Sequence, residues 1–512
     1  MANYKNEDIY ECIVIGAGAA GLFYVASDKP KSERAKTVIL EKTNRPGQKL
    51  LMSGNGMCNI THGGSIKDFI SKYGEHGTAI RRCLFKNNNI ALAKMIESLG
   101  VPVSEREDGK IFPTSLKAAD VRDALLNAAR NNGWKIRCNA EVSKLELPEL
   151  NRLIKVTLTD GTVLKTRKLV IATGGASYPS TGSDGSFFSI LSRDLGMKII
   201  KPRPALAPVY VQDYNFGHLS GISLEEVEVH CTNTSVKSEI RNTNTSNNNL
   251  TKKKLTHRSH GPMLFTHRGF SGPAMLHISQ YVHPGSILRI NYLPSMNHEQ
   301  VYDILRQDHQ GNNKKIVNYL SARFNLPKAF VTALLSELLD SNNNQRTKNT
   351  NKKAPSSVAI NSSVAADNSK SKMNQLSNKD LRAIAELITN HSFSVSGTGG
   401  WNDAMVTAGG VSLDQIDVKT MSVRLSSVND PDLKNPTAKY PDNSLNQQTD
   451  YPGISYDAQK DYPDTAYDAQ MDYPGISYDI RVIGEALDVN GDTGGYNLQF
   501  AYSSAMAALT EL

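Results

Sequence analysis

Three glycines at a regular spacing mark a candidate binding loop for a dinucleotide. Gly16, Gly18 and Gly21 open a segment with helical spacing, directly after an apolar run that predicts a buried strand. The first glycine suits a tight turn, the second lets a pyrophosphate approach the backbone, and the third lets helix and strand pack closely. Free N–H groups at the start of a helix favour an anion. We therefore predict that the phosphates lie against Gly16, Ala17, Gly18, Ala19, Ala20 and Gly21.

An acidic residue completes this pattern at the end of the next predicted strand. Glu41 lies 20 residues beyond Gly21 and directly follows the apolar run Thr37–Leu40. A carboxylate at this place can accept hydrogen bonds from the hydroxyl groups of a ribose. The order of strand, glycine loop, helix, strand and acid predicts a dinucleotide-binding unit, but it does not distinguish NAD from FAD.

Two further glycine-rich turns favour FAD. The turn Ser53–Gly56 follows soon after the acidic residue, which suits a loop that passes the flavin end of an extended FAD. Thr173–Gly175 ends another predicted buried strand, as expected where the chain crosses back under the cofactor. An ordinary glycine-rich surface turn remains the alternative for the first of them.

A last glycine-rich block lies near the C-terminal end of the sequence. Gly484–Asp488 is followed by Gly491–Asn497, which leads into a predicted helix, Leu498–Leu509. The positive end of that helix would stabilise negative charge at the N1–C2=O region of a reduced flavin. From these blocks we further predict cofactor contacts for Lys42, Lys49, Ser53, Gly54, Gly56, Cys58, Asn59, Thr173, Gly174, Gly175, Gly484, Glu485, Asp488, Asp492, Gly494, Gly495, Tyr496 and Asn497.

Three side chains are candidate proton donors. His267 lies in a loop and is the first candidate, although such a histidine can also serve only to hold its loop. Tyr178 and Tyr496 each lie beside a glycine-rich turn and are the next candidates, with packing as the alternative. Cys58 has no second cysteine nearby, so we favour packing over redox chemistry. We predict no metal site, because no cluster has the spacing of metal ligands.

Composition excludes several classes of protein. Five cysteines without a CxxC pair exclude a disulfide scaffold and suit a reducing compartment. The longest nearly apolar run, Cys12–Ala26, has 15 residues and is too short to cross a membrane. The first residues lack the pattern of a signal peptide, so we expect a cytoplasmic protein without a membrane partner. The net charge of +8 permits contact with nucleic acid, but we expect the excess lysine to lie in polar insertions.

Three stretches stand apart from the ordered pattern. Residues 232–254 and 340–379 are rich in Asn, Ser, Thr and Lys, and are typical of solvated loops. Residues 440–479 repeat a Tyr-Pro unit with a period of 11, and the proline in every unit argues against a helix. We interpret this third stretch as a duplicated surface loop.

Together these blocks resemble one family, the HI0933-like flavoproteins, also called the YhiN or BaiN-type family. The blocks occur in family order and span nearly the whole chain. They are Val14–Leu22, Gly47–Asn59, Lys110–Ser115 with Ala119–Val121, Ala172–Gly182, Arg203–Pro208, Leu264–His267 with Gly269–Ala274, Val406–Ser412 and Gly484–Phe500.

The resemblance implies an α/β fold. A FAD-binding doubly wound, Rossmann-like domain would be interrupted by a β-barrel-like domain that carries a small helical domain. The expected segments are 1–200 and 411–512 for the FAD-binding domain, 201–295 and 388–410 for the barrel-like domain, and 296–387 for the helical domain. The family usually has Arg at the position of Met57. Methionine cannot bind an anion, so Arg45, Lys49 or Arg203 would have to compensate.

The resemblance also implies non-covalent FAD and an oxidoreductase. Our leading hypothesis is hydride transfer from NAD(P)H through the flavin to a conjugated C=C bond or a carbonyl group of a small molecule. One alternative is an amine or aminoketone oxidase that uses O₂. Another is a nucleic-acid-associated flavoprotein, which we disfavour because the lysine-rich stretches show no interleaved aromatic residues. The oligomeric state stays open.

Overall fold

The computed structural model describes residues 9–30, 35–148, 152–233, 255–347, 371–424 and 478–510. The 11-residue repeats up to residue 477, and most of the other two polar stretches, lie outside these residues. Contacts between residues divide the chain into two compact units. Unit 1 comprises Met1–Arg203 with Val406–Leu512, and unit 2 comprises Pro204–Met405.

Unit 1 is built on a nine-stranded sheet. Unit 1 contains this sheet and two smaller ones. The strands of the three sheets are β1 (Ile9–Ile15), β2 (Thr37–Leu40), β3 (Thr61–His62), β4 (Val103–Glu105), β5 (Lys110–Pro113), β6 (Lys135–Arg137), β7 (Val142–Glu146), β8 (Ile154–Leu158), β9 (Val163–Ile171), β10 (Ile199–Ala205), β17 (Val406–Val411), β18 (Ile416–Asp417), β19 (Ser422–Val423) and β20 (Asp479–Val482). The main sheet has the order β18-β19-β20-β9-β1-β2-β6, and β7 and β8 extend it from β9. Smaller sheets pair β3-β5-β4 and β10-β17.

The centre of the main sheet is parallel. β1 lies between β9 and β2, with Ile15 opposite Ile171 and Leu40. The strands are apolar because helices cover both faces of such a sheet. The parallel order places the carboxyl ends of β1, β2 and β9 at one edge, where an open α/β sheet binds its ligands.

The helices of unit 1 include the one predicted directly after β1. They are α1 (Ala19–Ser27), α2 (Gln48–Met52), α3 (Ile66–Phe69), α4 (Gly77–Lys86), α5 (Asn89–Ser98), α6 (Ala118–Asn131), α7 (Ser186–Leu195) and α14 (Tyr496–Ala507). The apolar spacing of Val121, Leu125 and Ala128 predicts a helix over Ala118–Asn131; α6 has these bounds, and Val121 and Leu125 are buried. α14 begins two residues before the predicted helix, because Gly495, with φ +94°, ends the preceding loop.

Unit 2 contains a closed six-stranded barrel. Its strands are β11 (Val209–Val211), β12 (Ser223–Asn233), β13 (Leu255–Phe265), β14 (Phe270–Ser271), β15 (Ile287–Asn291) and β16 (His391–Thr398). They close in the order β11-β14-β13-β12-β15-β16. Phe216, Phe265 and Phe270 are fully or almost fully buried in the core of this unit. The predicted α/β fold with an interrupting barrel is therefore confirmed.

Helices complete unit 2. They are α8 (Pro273–Ile278), α9 (His298–Gln307), α10 (Ile316–Phe324), α11 (Lys328–Thr347), α12 (Asn378–Thr389) and α13 (Gly400–Asp403). α9 and α12 pack against each other through apolar faces that include Val301, Leu305 and Leu381. In the described part of the chain, no helix has the length and apolar character needed to cross a membrane.

Candidate cofactor site

The glycine loop between β1 and α1 has the geometry that its sequence predicts. Gly16 has φ +98°, and a Cβ there would lie 3.0 Å from Cα of Thr173. A Cβ on Gly21 would collide with the carbonyl oxygen of Gly16, so this contact admits only glycine. Gly18 caps α1 without a side-chain hydrogen bond, and a Cβ there would meet no described atom within 4 Å. Gly18 therefore leaves the approach to the start of α1 open.

Glu41 fixes this loop to the end of β2. It is 8% exposed. Its Oε2 accepts a hydrogen bond from the N–H of Ala17 at 3.0 Å, and its Oε1 accepts from the N–H and the hydroxyl of Thr43 at 2.9 and 2.8 Å. A carboxylate has about four lone-pair sites, so these bonds leave acceptor capacity for a ribose.

Lys42 is bound to carboxylates next to this site. Its Nζ lies 2.6 Å from Asp184 and 3.2 Å from Glu141. Burial would raise the pKa of Asp184, but hydrogen bonds from Lys42 and Ser186 outweigh burial and the pKa is lowered. The charge of Lys42 is therefore largely compensated, and its predicted contact with the cofactor stays a prediction.

Lys49 also has a protein partner. Its Nζ lies 2.6 Å from Oε2 of Glu485 and donates to the hydroxyl of Ser177. Glu485 Oε1 in turn accepts from the hydroxyl of Ser177 at 3.0 Å and from the N–H of Thr407 at 2.8 Å. This network joins four distant segments of unit 1. It pairs Lys49 with a carboxylate, and the predicted contact of Lys49 with the cofactor stays a prediction.

Four residues of the loop after α2 have backbone φ angles in the left-handed region. Gly54, Asn55, Gly56 and Cys58 have φ values of +56°, +57°, +82° and +61°. The loop closes through a hydrogen bond from the N–H of Cys58 to the carbonyl of Ser53 at 2.9 Å. Non-glycine residues in this region are strained, and such strain concentrates at functional sites.

Cys58 is fully buried within this loop. Burial raises the pKa of its thiol to about 11, although Ser53 lowers it slightly. The thiol therefore stays protonated at neutral pH and is a poor nucleophile. Its geometry favours the packing role.

A cation missed by the sequence analysis lies beside Met57. Arg106 approaches the sulfur with its Nη2 3.6 Å from Sδ, and its guanidinium lies 4.0 Å from the centre of the Phe112 ring. Arg106 follows β4, and the pairing of β4 with β5 brings it to the loop from 49 residues away. No local pattern in the sequence indicates this contact.

The turn after β9 contains an unsatisfied polar atom. Thr173 Oγ1 is buried and has no hydrogen-bond partner among the described residues. Such an atom costs free energy unless a ligand or water satisfies it. Gly174 has φ +73°, and a Cβ on Gly175 would collide with Thr407. Thr407 Oγ1 accepts from the N–H of Ala176 at 2.8 Å, which fixes the turn.

The C-terminal block packs directly against the glycine loop. A Cβ on Gly484 would lie 2.6 Å from Cβ of Ala20. Further along, Asp488 Oδ1 accepts from the N–H of Gly409 at 2.9 Å, and its Oδ2 lies 3.6 Å from Nε2 of His76. Burial raises the pKa of Asp488 despite these partners. Asp488 therefore acts within unit 1 as a buried link between segments.

The loop before α14 is closed by its own side chains. Asn497 accepts from the N–H of Gly491 at 2.8 Å and donates to its carbonyl at 2.9 Å. Asp492 lies in this loop, with Oδ2 3.9 Å from Nζ of Lys72. In the orientation that satisfies both of its ends, the Asn59 amide donates to Thr61 O at 2.9 Å and accepts from the N–H of Gly495 at 3.2 Å.

The start of α14 lies against β3. A Cβ on Gly495 would lie 2.7 Å from Cα of Thr61, and a Cβ on Gly494 would lie 3.7 Å from Cδ2 of His62. The loop after α2, residues 53–59, is the one predicted to pass the flavin, and we call it the flavin loop. It meets β3 and the start of α14 at one place in unit 1. The sequence analysis did not name His62, because a strand of two residues has no periodicity to reveal it.

The three candidate proton donors differ in burial and in their place in the fold. Tyr496 is 6% exposed, and burial, with Asp492 and Asp68, raises its pKa to about 12. Tyr178 adopts φ +55° at the turn after β9. His267 lies in unit 2, exposed on the turn between β13 and β14.

The turn that contains His267 is held by other side chains. Tyr214 donates to the carbonyls of Thr266 and Gly269, both at 2.9 Å, and the hydroxyl of Thr266 accepts from the N–H of Gly269 at 3.2 Å. Among the described residues, no hydrogen bond to the imidazole of His267 is present. The role of His267, as a proton donor or as a support of its loop, stays a prediction.

The described residues of unit 1 fit FAD. Gly18 leaves space at the start of α1, Glu41 retains acceptor capacity, and Thr173 Oγ1 lacks a partner. The edge of the parallel sheet, the glycine loop and the acid at the end of β2 define a dinucleotide-binding protein. Within the described ranges, no group of three or more His, Cys, Asp and Glu side chains is arranged to hold a metal ion.

Comparison with known proteins gives the family. The family model described as the HI0933-like protein Rossmann domain matches residues 10–428. The chain therefore belongs to the HI0933-like family of FAD-dependent oxidoreductases, as its motifs predict.

Two curated relatives match almost the whole chain. A ribosomal RNA dihydrouridine synthase of Haemophilus influenzae is 27% identical, with 97% of each chain covered. A 3-dehydro-bile acid delta(4,6)-reductase of Clostridium scindens is 24% identical, again with 97% of each chain covered. Among solved structures, a 3-ketosteroid-delta4-(5alpha)-dehydrogenase of Rhodococcus jostii is 12% identical over 99% of both chains, with a TM-score of 0.41.

Proposed function

We propose that this protein transfers a hydride from NADH or NADPH, through bound FAD, to a carbon–carbon double bond conjugated with a carbonyl group. The observation that carries the proposal is the meeting of the flavin loop, β3 and the positive end of α14. A helix start favours the negative charge that a reduced flavin holds at N1 and C2=O. A site of this kind suits storage of two electrons until an acceptor binds.

The names of the two curated relatives support this reaction class. Dihydrouridine is uridine in which the C5=C6 bond, conjugated with the C4 carbonyl, is saturated. A delta(4,6)-reductase of a 3-dehydro-bile acid acts on C=C bonds conjugated with the 3-keto group. Uracil and the dienone are different molecules, but both present an electron-poor C=C bond to a hydride donor. The shared chemistry is therefore a better basis for the proposal than either substrate.

Each part of unit 1 has a separate task in this proposal. The start of α1 and the open side of Gly18 bind the diphosphate, and Glu41 binds a ribose through its remaining lone pairs. The hydroxyl of Thr173 obtains a partner when the cofactor binds, because no described residue supplies one. FAD contributes the chemistry of accepting a hydride and passing it on.

The proton donor is a second requirement, because saturation of a C=C bond needs a proton as well as a hydride. His267, Tyr178 and Tyr496 are the donors that we propose from the sequence. Tyr496 stays protonated at neutral pH, because its pKa is raised to about 12. The exposed imidazole of His267 is accessible to a substrate.

The substrate itself is proposed as a small molecule. The Haemophilus influenzae relative leaves a nucleic acid open as an alternative, since its name specifies ribosomal RNA. The net charge of +8 is compatible with either substrate. RNA binding that weakens steeply with added salt would favour the nucleic acid.

Anaerobic mixing tests the function. Holoprotein mixed with NADH or NADPH should lose its visible flavin absorption, and an unsaturated 3-ketosteroid or unmodified ribosomal RNA should then restore it. Bleaching by an amine or aminoketone, with recovery only in O₂, would instead support an oxidase. Recovery with neither conjugated acceptor would reject the proposal.

A further inference from the structure

We infer that His62 takes up a proton when the flavin is reduced and gives it to the substrate during reoxidation. The inference rests on the proposed function, and it adds a proton-exchanging residue that the sequence analysis did not name. His62 lies on β3, between the flavin loop and the start of α14. Its contacts define both the proton position and the orientation of its ring.

The hydrogen bond of His62 determines its neutral tautomer. Its Nδ1 lies 2.9 Å from the carbonyl oxygen of Gly63. A carbonyl oxygen only accepts, so Nδ1 carries the proton and donates it. The basic nitrogen of the neutral ring is therefore Nε2. No described residue forms a hydrogen bond with Nε2.

The ring is held on three sides. It stacks on Tyr496, with ring centres 5.6 Å apart and planes 14° apart, and it meets the edge of Phe69 at 6.5 Å. Gly109 packs closely on the side of Cε1, where a Cβ would lie 2.9 Å from Nε2 and even closer to Cε1. Asn89 fixes the backbone, because its amide donates to the carbonyl of His62 at 2.9 Å. These contacts leave the imidazole little freedom to rotate.

This packing places the His62 ring between Gly109 and the loop before α14. In the ring, Nε2 lies between Cε1 and Cδ2. Cε1 faces Gly109, and Cδ2 is the His62 atom closest to the position of a Gly494 Cβ, at 3.7 Å. Gly109 and Gly494 therefore approach different edges of the imidazole. Gly494 belongs to the loop that leads into α14, whose positive end would favour the charge of a reduced flavin.

Charged groups lie around His62, but none of the described ones forms a hydrogen bond with Nε2. A Cβ on Gly63 would collide with the carboxylate of Glu105, so this acid lies beside the residue that follows His62. Lys72 lies 6.0 Å from the centre of the Tyr496 ring on which His62 stacks. The titratable and charged groups on the elements around His62 are Lys67, Asp68, Lys72, Tyr73, Glu75, His76, Lys94, Glu97, Glu105, Arg106, Glu107, Asp108, Lys110, Asp492, Tyr496 and Tyr502.

Reduction changes the balance of charge at this place. A hydride from the nicotinamide would bring two electrons and one proton to bound FAD, and it would add one negative charge to the cofactor. Added negative charge favours the imidazolium, so Nε2 takes a proton from solvent. In reoxidation, the substrate C=C bond accepts the hydride at one carbon and the proton from Nε2 at the other. His62 returns to its neutral form, and the substrate has gained two electrons and two protons.

The pH dependence of the flavin midpoint potential tests this inference without any substrate. The holoprotein is reduced with dithionite at a series of pH values. If His62 takes up the second proton, the slope of potential against pH should fall by about half over the neutral range in His62→Asn. Asparagine can still donate to Gly63 but cannot titrate. The matched control is His298→Gln, which changes a partly buried histidine of α9 in unit 2 and should keep the wild-type slope.

A second measurement does not depend on how the variant folds. In wild-type holoprotein with ¹⁵N-labelled histidine, one of the 12 imidazoles should gain its second ring proton when dithionite reduces the flavin at constant pH. No such change, or a wild-type slope in His62→Asn, would overturn the inference. Loss of proton uptake in His267→Asn instead would assign the role to the sequence-predicted residue and would also overturn it.

The oxidative half-reaction separates this inference from the proposed function. His62→Asn should slow reoxidation by a conjugated acceptor by roughly 10²–10⁴-fold, the usual contribution of a positioned acid. Bleaching by NAD(P)H should be largely unchanged. If the wild type shows the proton uptake but reduces neither acceptor, the proposed function fails while the role of His62 stands.

Discussion

Lys49 and Glu485, 436 residues apart in the sequence, form an ion pair with Nζ 2.6 Å from Oε2. Both side chains are less than a quarter exposed, and Ser177 and Thr407 bind the same carboxylate. The pair therefore joins the first and last parts of unit 1 beside the cofactor site. It gives Lys49 a structural task that its sequence motif does not indicate.

Replacing Lys49 should weaken unit 1. Lys49→Met leaves a partly buried carboxylate without its cation, so we expect a loss of about 1–3 kcal/mol in the free energy of unfolding. Urea unfolding of the apoprotein measures this loss. The control Lys110→Met removes an exposed ion pair with Asp108 and should change stability by less than about 1 kcal/mol. Equal effects of the two variants would contradict the structural role of Lys49.

Substitutions of Gly18 and Gly21, in the glycine loop between β1 and α1, should have different effects on FAD content and stability. Gly18→Ala should fold normally, since its Cβ meets no described atom within 4 Å, but it should lower FAD content because the Cβ enters the approach to the diphosphate. Gly21→Ala should lower stability as well, because its Cβ collides with Gly16 O. Thermal unfolding of the apoproteins and the flavin content of the purified proteins separate the two effects. Full FAD retention in Gly18→Val would refute the assignment of this loop.

Acid should weaken the contact between Lys42 and Asp184. The pKa of Asp184 is lowered in the folded protein, so its contribution to stability is complete above the unfolded value, near pH 4. The contribution is lost as the pH falls through the lower folded value. Asp184→Asn should therefore flatten this part of the stability–pH curve, measured by urea unfolding. Asp303→Asn, an exposed change on α9, is the control and should leave the curve unchanged.

The repeat segment should be dispensable. β19 and β20 are neighbours in the main sheet, with Ser422 opposite Arg481, so the chain leaves and re-enters the fold at adjacent strands. Deleting residues 440–472 shortens this connection, and loop closure changes by only about 0.6 kcal/mol per doubling of length. We expect nearly unchanged solubility and FAD content. Insoluble apoprotein would mean that the repeats stabilise the fold.

Local patterns predicted the parts of the fold that depend on neighbours in sequence. Glycine spacing predicted the β1–α1–β2 order, and apolar periodicity predicted the bounds of α6. The family motifs predicted the barrel that interrupts the α/β unit. The position of Glu41 at the end of β2 follows from the same local rules, since a strand ends where its apolar run ends.

Long-range contacts within unit 1 could not be predicted in this way. Arg106 reaches Met57 only because β4 pairs with β5, and His62 meets Tyr496 only because β3 packs beside α14. Neither contact has a fixed spacing in the sequence. The sequence therefore predicted the glycine loop and the acid beside it, but it did not predict the contacts of Arg106 and His62.

A single-turnover measurement tests most sharply whether the reduced flavin transfers a hydride to a conjugated C=C bond. Holoprotein is reduced anaerobically with one equivalent of NADH or NADPH per FAD, and the reduced protein is then mixed with a conjugated acceptor, either an unsaturated 3-ketosteroid or unmodified ribosomal RNA. We expect one of these acceptors to restore the flavin absorption and to yield one saturated C=C bond per FAD, with the carbonyl group retained. A reduced flavin that is reoxidised only by O₂, with both acceptors recovered unchanged, would contradict this expectation.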